Sequence, residues 1–443
     1  MPPRFGTDGI RGVANSELTP EIALALGRAA ARTLSAGPFL IGRDTRISGP
    51  LLQAALSAGL SSEGREVVDL GVIPTPGVAW AARERQAPAA VISASHNPYR
   101  DNGIKLFSLE GSKLSLEAEA AVQAELEKLL ERGAGGSDPD AVGPIESDRQ
   151  TLSRYAEALA GLFGGKRPAG EVVIDCANGA AFEVARQVFE RLELSHRLLH
   201  ASPDGRNINA GCGSTHPEAL QREVLRRGAT LGIAFDGDAD RMLAVDEEGR
   251  LVDGDQLIAL FAADMLGAKE LDNETVVVTV MSNLGLHRAL GGLGIKTVET
   301  PLGDRHVADA LEAGSYSLGG EQSGHIIFRR HSPTGDGLLT AVKLIDLLGR
   351  AQEPLGQLAA SAMVRLPQVL LNVPVPDTDR LSDADRVWRE TDAVREELGS
   401  SGRVLLRSSG TESCVRVMVE ATSDEKASAM AERLAAVVRD ELG

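Results

Sequence analysis

Short apolar runs alternate with longer stretches of helical periodicity along most of the chain. "PFLIGRD" (38–44), "REVVDLG" (65–71) and "AAVIS" (89–93) read as strands. Between them lie a helix opened by Thr19-Pro20 and running to about Leu34, "GPLLQAALSAGLSSEG" (49–64), and a helix near residues 77–85. Thr19 is the expected N-cap, with proline at the first helical position. The same grammar restarts in "EVVIDCANGAAFEVARQVFERL" (171–192), then "HPEALQREVLRRG" and the strand "LGIAF" (231–235). A third cycle runs from "GDQLIALFAADMLG" (254–267) through "TVVVTV", "HRALGGLG", "IKTVET" and "GDRHVADALEAG" to a helix from Gly335 to about Leu348. Strands alternating with helices of this length predict α/β units with largely parallel sheets. Beyond residue 380 the pattern changes to helix, strand, loop, strand, helix, a smaller α+β unit.

Linker composition marks two boundaries, "GAGGSDPDAVGPIESD" (133–148) and "VPVPDTD" (373–379). The cut near Gly249–Asp255 carries no such mark. The expected blocks are residues 1–150, 151–250, 251–366 and 367–443, whereas length alone suggests about three domains of roughly 150 residues.

Charge removes several classes of partner. A net charge of −17 repels nucleic acid and anionic membranes at long range. An aromatic share of 3% leaves few platforms on which bases could stack. The three cysteines, Cys176, Cys212 and Cys414, form neither a disulfide framework nor a zinc spacing. "MPPRFGTDGIRG" has no basic-then-apolar targeting pattern, and no apolar run is long enough to span a bilayer. The expectation is a cytoplasmic protein, monomeric or homodimeric, whose partner is a small molecule.

The candidate chemistry lies in loops that follow apolar strands, where parallel α/β sheets bind ligands. In "DGDADR", Asp236, Asp238 and Asp240 alternate after "LGIAF". Three crowded carboxylates call for a cation, and an all-oxygen set selects Mg²⁺. An EF-hand is excluded because Arg241 stands where the calcium loop needs glycine. A solvated acidic turn and a phosphatase with an aspartate nucleophile are the alternatives. In "VISASHNPYRDNGIK" (91–105), His96 immediately follows Ser95, and neighbouring side chains usually diverge, so no Ser-His triad is implied. Ser95 reads as a phosphoryl carrier beside the metal, or else as a turn-capping hydroxyl. The Asn102-Gly103 pair is the expected turn that delivers Lys105 to the same site. "FGTDGIRG" offers Arg11 and "GRDTR" offers Arg43 as phosphate-gripping arginines. "GGEQSGH" groups Glu321 for sugar hydroxyls, Ser323, and His325 as a proton shuttle. In "RSSGTESCVR", Arg407, Ser409, Gly410, Thr411 and Arg416 form either a phosphate cradle or a plain hairpin turn.

These motifs in this order, with "GRDTRISG", "IDCANGA", "VDGDQ", "MSNLGL" and "TGDG", resemble the α-D-phosphohexomutase superfamily from Phe5 to near the C-terminus. "FGTDGIRG", "GDRHV" and the glutamine of "GGEQSGH" are similar to its phosphoglucosamine mutase branch. The resemblance implies three similar α/β domains and a smaller C-terminal α+β domain around a central cleft. It implies a phosphorylated Ser95 and one Mg²⁺ held by that phosphate with Asp236, Asp238 and Asp240. Arg11, Lys105 and Arg241 become transition-state and proton-transfer residues, and Glu321 and Ser323 sugar contacts. Arg407, Ser409, Gly410, Thr411 and Arg416 become the clamp on the non-reacting phosphate. The implied reaction interconverts glucosamine 6-phosphate and glucosamine 1-phosphate through a 1,6-bisphosphate and feeds UDP-N-acetylglucosamine synthesis. A phosphoglucomutase or phosphomannomutase of the same mechanism is the alternative. Ser413 stands where the family usually has proline, and Ala239 where its metal loop often has glycine; a negative φ would accommodate Ala239.

Overall fold

The structure is a computed structural model that describes residues 4–6, 8–132, 138–409 and 413–443. It contains two compact units, one of residues 1–280 with 295–360 and the other of residues 281–294 with 361–443. Gly410 and Thr411 lie outside the described residues.

The first unit holds three mixed sheets. In the first, the order is Ile10–Val13, Asp101–Phe107, Ala89–Ile92, Phe39–Arg43, Val67–Val72 and Ile145–Ser147. The second runs Leu251–Val252, Met242–Val245, Leu231–Phe235, Val172–Asp175 and His196–Leu199. The third runs Lys296–Thr300, Thr275–Thr279, Leu318–Gly320 and Ile326–Phe328. The middle strands pair in parallel, and each sheet adds one antiparallel partner to its last parallel strand. Those partners are Asp101–Phe107 on Ala89–Ile92, Met242–Val245 on Leu231–Phe235, and Ile326–Phe328 on Leu318–Gly320. The loops joining these pairs contain Ser95, the aspartate trio and Glu321 respectively.

Aliphatic packing holds the sheets. Phe39, Ile41, Ala90, Ile92, Ile104 and Leu106 of the first sheet meet Leu26, Leu52 and Leu56 from two helices in one buried cluster. Each such leucine contributes about 1.5–3 kcal/mol by leaving water. The central strands Ala89–Ile92, Val172–Asp175, Leu231–Phe235 and Thr275–Thr279 are buried on both faces, as strands covered by helices must be.

Several local expectations change. The Asn102-Gly103 pair makes no turn; both residues lie inside strand Asp101–Phe107, and residues 93–100 connect it to its neighbour. Glycine is needed at 103 because a Cβ there would stand 2.8 Å from the Ser93 carbonyl and 2.9 Å from the Arg11 Cγ. Thr19 precedes helix Pro20–Thr33 but makes no side-chain cap bond. Of the two expected linkers, Ile145–Ser147 pairs with Val67–Val72, and Val373 and Pro374 belong to strand Gln368–Pro374. Near residue 250 the missing linker signature has a cause. Asp253 caps helix Gly254–Gly267 by accepting from the Gln256 N–H, and the Gln256 side chain returns a bond to the Asp253 N–H.

The second unit packs helices Asp385–Leu398 and Asp424–Leu442 with the antiparallel sheet Gln368–Pro374, Cys414–Glu420, Arg403–Ser408. Among the described residues no helix is long and apolar enough to cross a membrane.

Asp336 caps helix Gly337–Ala351 and accepts the Tyr155 hydroxyl at 2.7 Å. Burial pushes its carboxyl up to about 6. A carboxyl raised in the folded state binds a proton there that the unfolded chain has already released. Its contribution is therefore fully present below the ordinary aspartate range and is lost as pH rises through about 6. Asp336→Asn keeps the cap acceptor but cannot titrate. Wild type will therefore lose stability relative to the variant between about pH 4 and pH 6, read from thermal midpoints; parallel curves over that window would contradict the assignment.

Candidate active site

The aspartate trio forms the centre. It sits in the tight loop between Leu231–Phe235 and Met242–Val245, so alternation and the turn aim all three carboxylates inward. One oxygen from each of Asp236, Asp238 and Asp240 lies within 4.8 Å of the others. All three residues are buried, and Asp238 Oδ1 and Asp240 Oδ1 lack hydrogen-bond partners among the described residues. Unpaired buried carboxylate oxygens on an all-oxygen site fit a hard divalent cation. Burial, with the charges of Asp240 and Asp238, pushes the Asp236 carboxyl well up. Burial and Asp238 raise Asp240. Burial would raise Asp238 too, but the Lys105 ammonium and the Thr75 hydroxyl hold it below the usual carboxylate range.

Ser95 meets this centre directly. Its Oγ donates to Asp236 Oδ2 at 2.6 Å. Ser95 adopts φ of 50°, a left-handed conformation costing a non-glycine residue roughly 1–2 kcal/mol. That twist also overturns one expectation: His96 Nδ1 comes to 3.2 Å from Ser95 Oγ. Burial, together with Arg241 and Arg11, pushes His96 down to about 4, so it is neutral at pH 7 and a weak base. Ala239 likewise has φ of 56°, not the negative value expected, so its side chain carries the same kind of strain.

Lys105 arrives along its strand and places Nζ 3.1 Å from Asp8, 3.3 Å from Asp238 and 3.8 Å from Asp240. Burial opposes its charge, but those three carboxylates hold its pKa above the ordinary lysine range. Those carboxylates favour its charged form. Arg11 pairs with Asp8, and Arg241 binds Asp236 Oδ1 through its backbone N–H at 3.2 Å, its guanidinium 3.9 Å from Asp240. Both arginine side chains keep 25–29% exposure, marking the more open side of the site.

The loop of residues 321–325 follows Leu318–Gly320. Glu321 accepts the Gly303 N–H at 3.1 Å, and the buried Ser323 hydroxyl makes no hydrogen bond among the described residues. His325 shares a cluster with Asp240 and Asp304, its Nε2 3.8 Å from Asp304. Lys113 bridges Asp304, beside His325, and Asp8, beside Lys105, at 2.6 and 2.9 Å. In the second unit, Arg407 and Arg416 stand directly opposite one another on adjacent antiparallel strands, and Ser409 N bonds the Cys414 carbonyl. Burial and the Arg416 charge lower the Arg407 pKa, and an anion between them would relieve both.

Sequence reasoning missed Thr75, whose hydroxyl holds Asp238 at 2.7 Å, and the bridging carboxylate Asp8. It also chose the wrong arginine in "GRDTR". Arg43 turns to Gln53, whereas Arg46 reaches the backbone of the Ser95 loop. Only the Asp8 in "FGTDG", three residues from Arg11, left a readable signal.

Four models of the phosphoglucomutase/phosphomannomutase family match the chain in order. Alpha/beta/alpha domains I, II and III cover residues 2–133, 153–249 and 253–366, and the C-terminal domain covers 370–437. The structure of a phosphoglucomutase/phosphomannomutase family protein from Burkholderia thailandensis matches with a TM-score of 0.82 at 25% identity, over 98% of this chain and 97% of that one. Fold and site thus define a phosphohexomutase, an isomerase that moves a phosphoryl group within a phosphosugar. The chain belongs to the phosphoglucomutase/phosphomannomutase family. Phosphoglucosamine mutase from Thermobifida fusca is 49% identical, covering 99% of this chain and 98% of its own. The enzyme of that name from Symbiobacterium thermophilum is 48% identical over the full length of both.

The two loops meet so closely that position 237 admits only glycine: a Cβ there would lie 2.5 Å from the Ser95 carbonyl. Gly237→Ala will push the carboxylates off Ser95 and lower mutase turnover by about 10²-fold. Steady-state kinetics check this, and unchanged kcat would show that the spacing is not critical.

Proposed function

We propose that the chain interconverts glucosamine 6-phosphate and glucosamine 1-phosphate, with Ser95 as the phosphoryl carrier. The observation that carries this reading is the 2.6 Å approach of Ser95 Oγ to the buried aspartate trio. The shared name of the full-length relatives supports the sugar.

Phosphorylated Ser95 gives its phosphoryl group to the free hydroxyl of the bound sugar phosphate. The Ser95 Oγ–P bond breaks, a sugar O–P bond forms, and the hydroxyl proton leaves. The product is a 1,6-bisphosphate. It turns around, and its other phosphate returns to Ser95, releasing the isomer. Asp236, Asp238, Asp240 and the Ser95 phosphate would hold Mg²⁺, which when bound would supply charge neutralisation at the transferring group. Lys105, Arg11 and Arg241 surround that group with cations that need no reorganisation. His325, with neither ring nitrogen hydrogen-bonded among the described residues, takes the hydroxyl proton. Glu321 and Ser323 orient the sugar hydroxyls. Arg407, Ser409 and Arg416, with Gly410 and Thr411, hold the phosphate that does not react. Arginines and small donors suit a clamp that must accept either end of the sugar.

Ser95→Ala will abolish turnover, and mass spectrometry of active wild type will find phosphate on the Ser95 peptide. A fully active Ser95→Ala variant would instead favour chemistry on Asp236. Among sugar phosphates, kcat/KM will be highest for glucosamine 1-phosphate; a preference for the glucose or mannose analogue would reassign the substrate. Mg²⁺ at about 100 times its Kd will stabilise wild type by about 2.7 kcal/mol. Asp240→Asn will lose most of that gain in a thermal-shift titration, and equal gains would place the ion elsewhere.

A further inference from the structure

Two carbonyl oxygens of the Ser95 loop each receive the same pair of buried donors. Arg46 Nη2 donates to the Ser95 carbonyl at 3.1 Å and the Asn97 carbonyl at 2.6 Å. Asn209 Nδ2 donates to the same two oxygens at 2.8 and 3.0 Å. The donors come from distant segments, Arg46 after strand Phe39–Arg43 and Asn209 from the loop between His196–Leu199 and helix Glu218–Arg227. The preceding peptide is held as well. Ser95 N donates to Ser93 Oγ at 3.0 Å, Ser93 donates to Asp44 at 2.6 Å, and Asp44 pairs with Arg46. Both peptide groups flanking the strained Ser95 are therefore fixed.

We infer that Arg46 and Asn209 are positioning residues that clamp the Ser95 backbone and so set the distance from its hydroxyl oxygen to the aspartate trio. The inference rests on Ser95 being the phosphoryl carrier. Arg46 Nε and Asn209 Oδ1 are buried without hydrogen-bond partners among the described residues, so each side chain gives up part of its own bonding to reach these two carbonyls. The Asn209 amide also stands at the metal loop, since a Cβ at Gly237 would lie 2.8 Å from its Nδ2. One side chain thus touches both loops whose spacing the transfer needs. When the Oγ–P bond breaks and negative charge gathers on Oγ, the clamp holds the loop in place while leaving the oxygen free for the metal and its cations. It makes and breaks no covalent bond.

Asn209→Asp tests this with almost no change in volume, because it aims a carboxylate oxygen at two carbonyls. Asn209→Ala removes the donor without adding charge and answers the question should the aspartate variant not fold. We expect kcat to fall by about 10²-fold for Asn209→Asp, and less for Asn209→Ala, with KM for the phosphosugar within about twofold of wild type. The ³¹P resonance of phosphorylated Ser95 should shift in both folded variants, which a distant structural defect would not cause. If Ser95→Ala is inactive while both Asn209 variants keep wild-type kcat, the clamp is refuted and the carrier reading stands. If Ser95→Ala remains active, the carrier reading fails first and takes the clamp with it.

Discussion

Three carboxylates buried in one six-residue loop repel one another, and the rest of the site is arranged around that repulsion. Lys105 answers part of it, and the Thr75 hydroxyl holds one oxygen in place. The two unpartnered oxygens on Asp238 and Asp240 leave the remainder to a cation. Ser95 enters this field as a neutral hydroxyl and can carry a phosphoryl group only where metal and cations offset its charge. The loop is thus a poor place for an uncharged protein and a suitable one for phosphoryl transfer.

The fold supplies this crowding by one repeated device. Each of the three mixed sheets ends its parallel run with a strand that hands over, through a short loop, to an antiparallel neighbour. Such a loop is pinned at both ends by strand pairing, which makes it a stiffer support than a strand-to-helix connection. Two of these loops hold a left-handed non-glycine residue, Ser95 and Ala239, a cost the surrounding pairing must outweigh. The antiparallel return also explains why Lys105 reaches the centre: it sits within the return strand, not after a turn.

Much of this was legible in the chain. The aspartate spacing, the hydroxyl after an apolar strand and the order of the motifs pointed to loops that the structure brings together, because those signals are local. The apolar runs located the central strands, which are buried on both faces; polar strands such as Asp101–Phe107 and Ile145–Ser147 gave no such run. Strand direction was not legible, because a return strand such as Met242–Val245 is as apolar as the parallel ones. The Asn102-Gly103 pair misled for a related reason: glycine served a close backbone approach, not a turn. Arg46, Thr75 and Asn209 were invisible because their roles depend on partners 49, 163 and 114 residues away. The choice between Arg43 and Arg46 turned on side-chain direction, which spacing alone does not fix.

The account stands or falls on where a divalent ion binds. Anomalous diffraction from crystals of the Ser95-phosphorylated protein soaked in Mn²⁺ would locate it directly. The expected result is one peak within coordination distance of a phosphate oxygen on Ser95 and of one oxygen each from Asp236, Asp238 and Asp240. A peak away from that trio, or full phosphorylation with no ion among the three carboxylates, would contradict it.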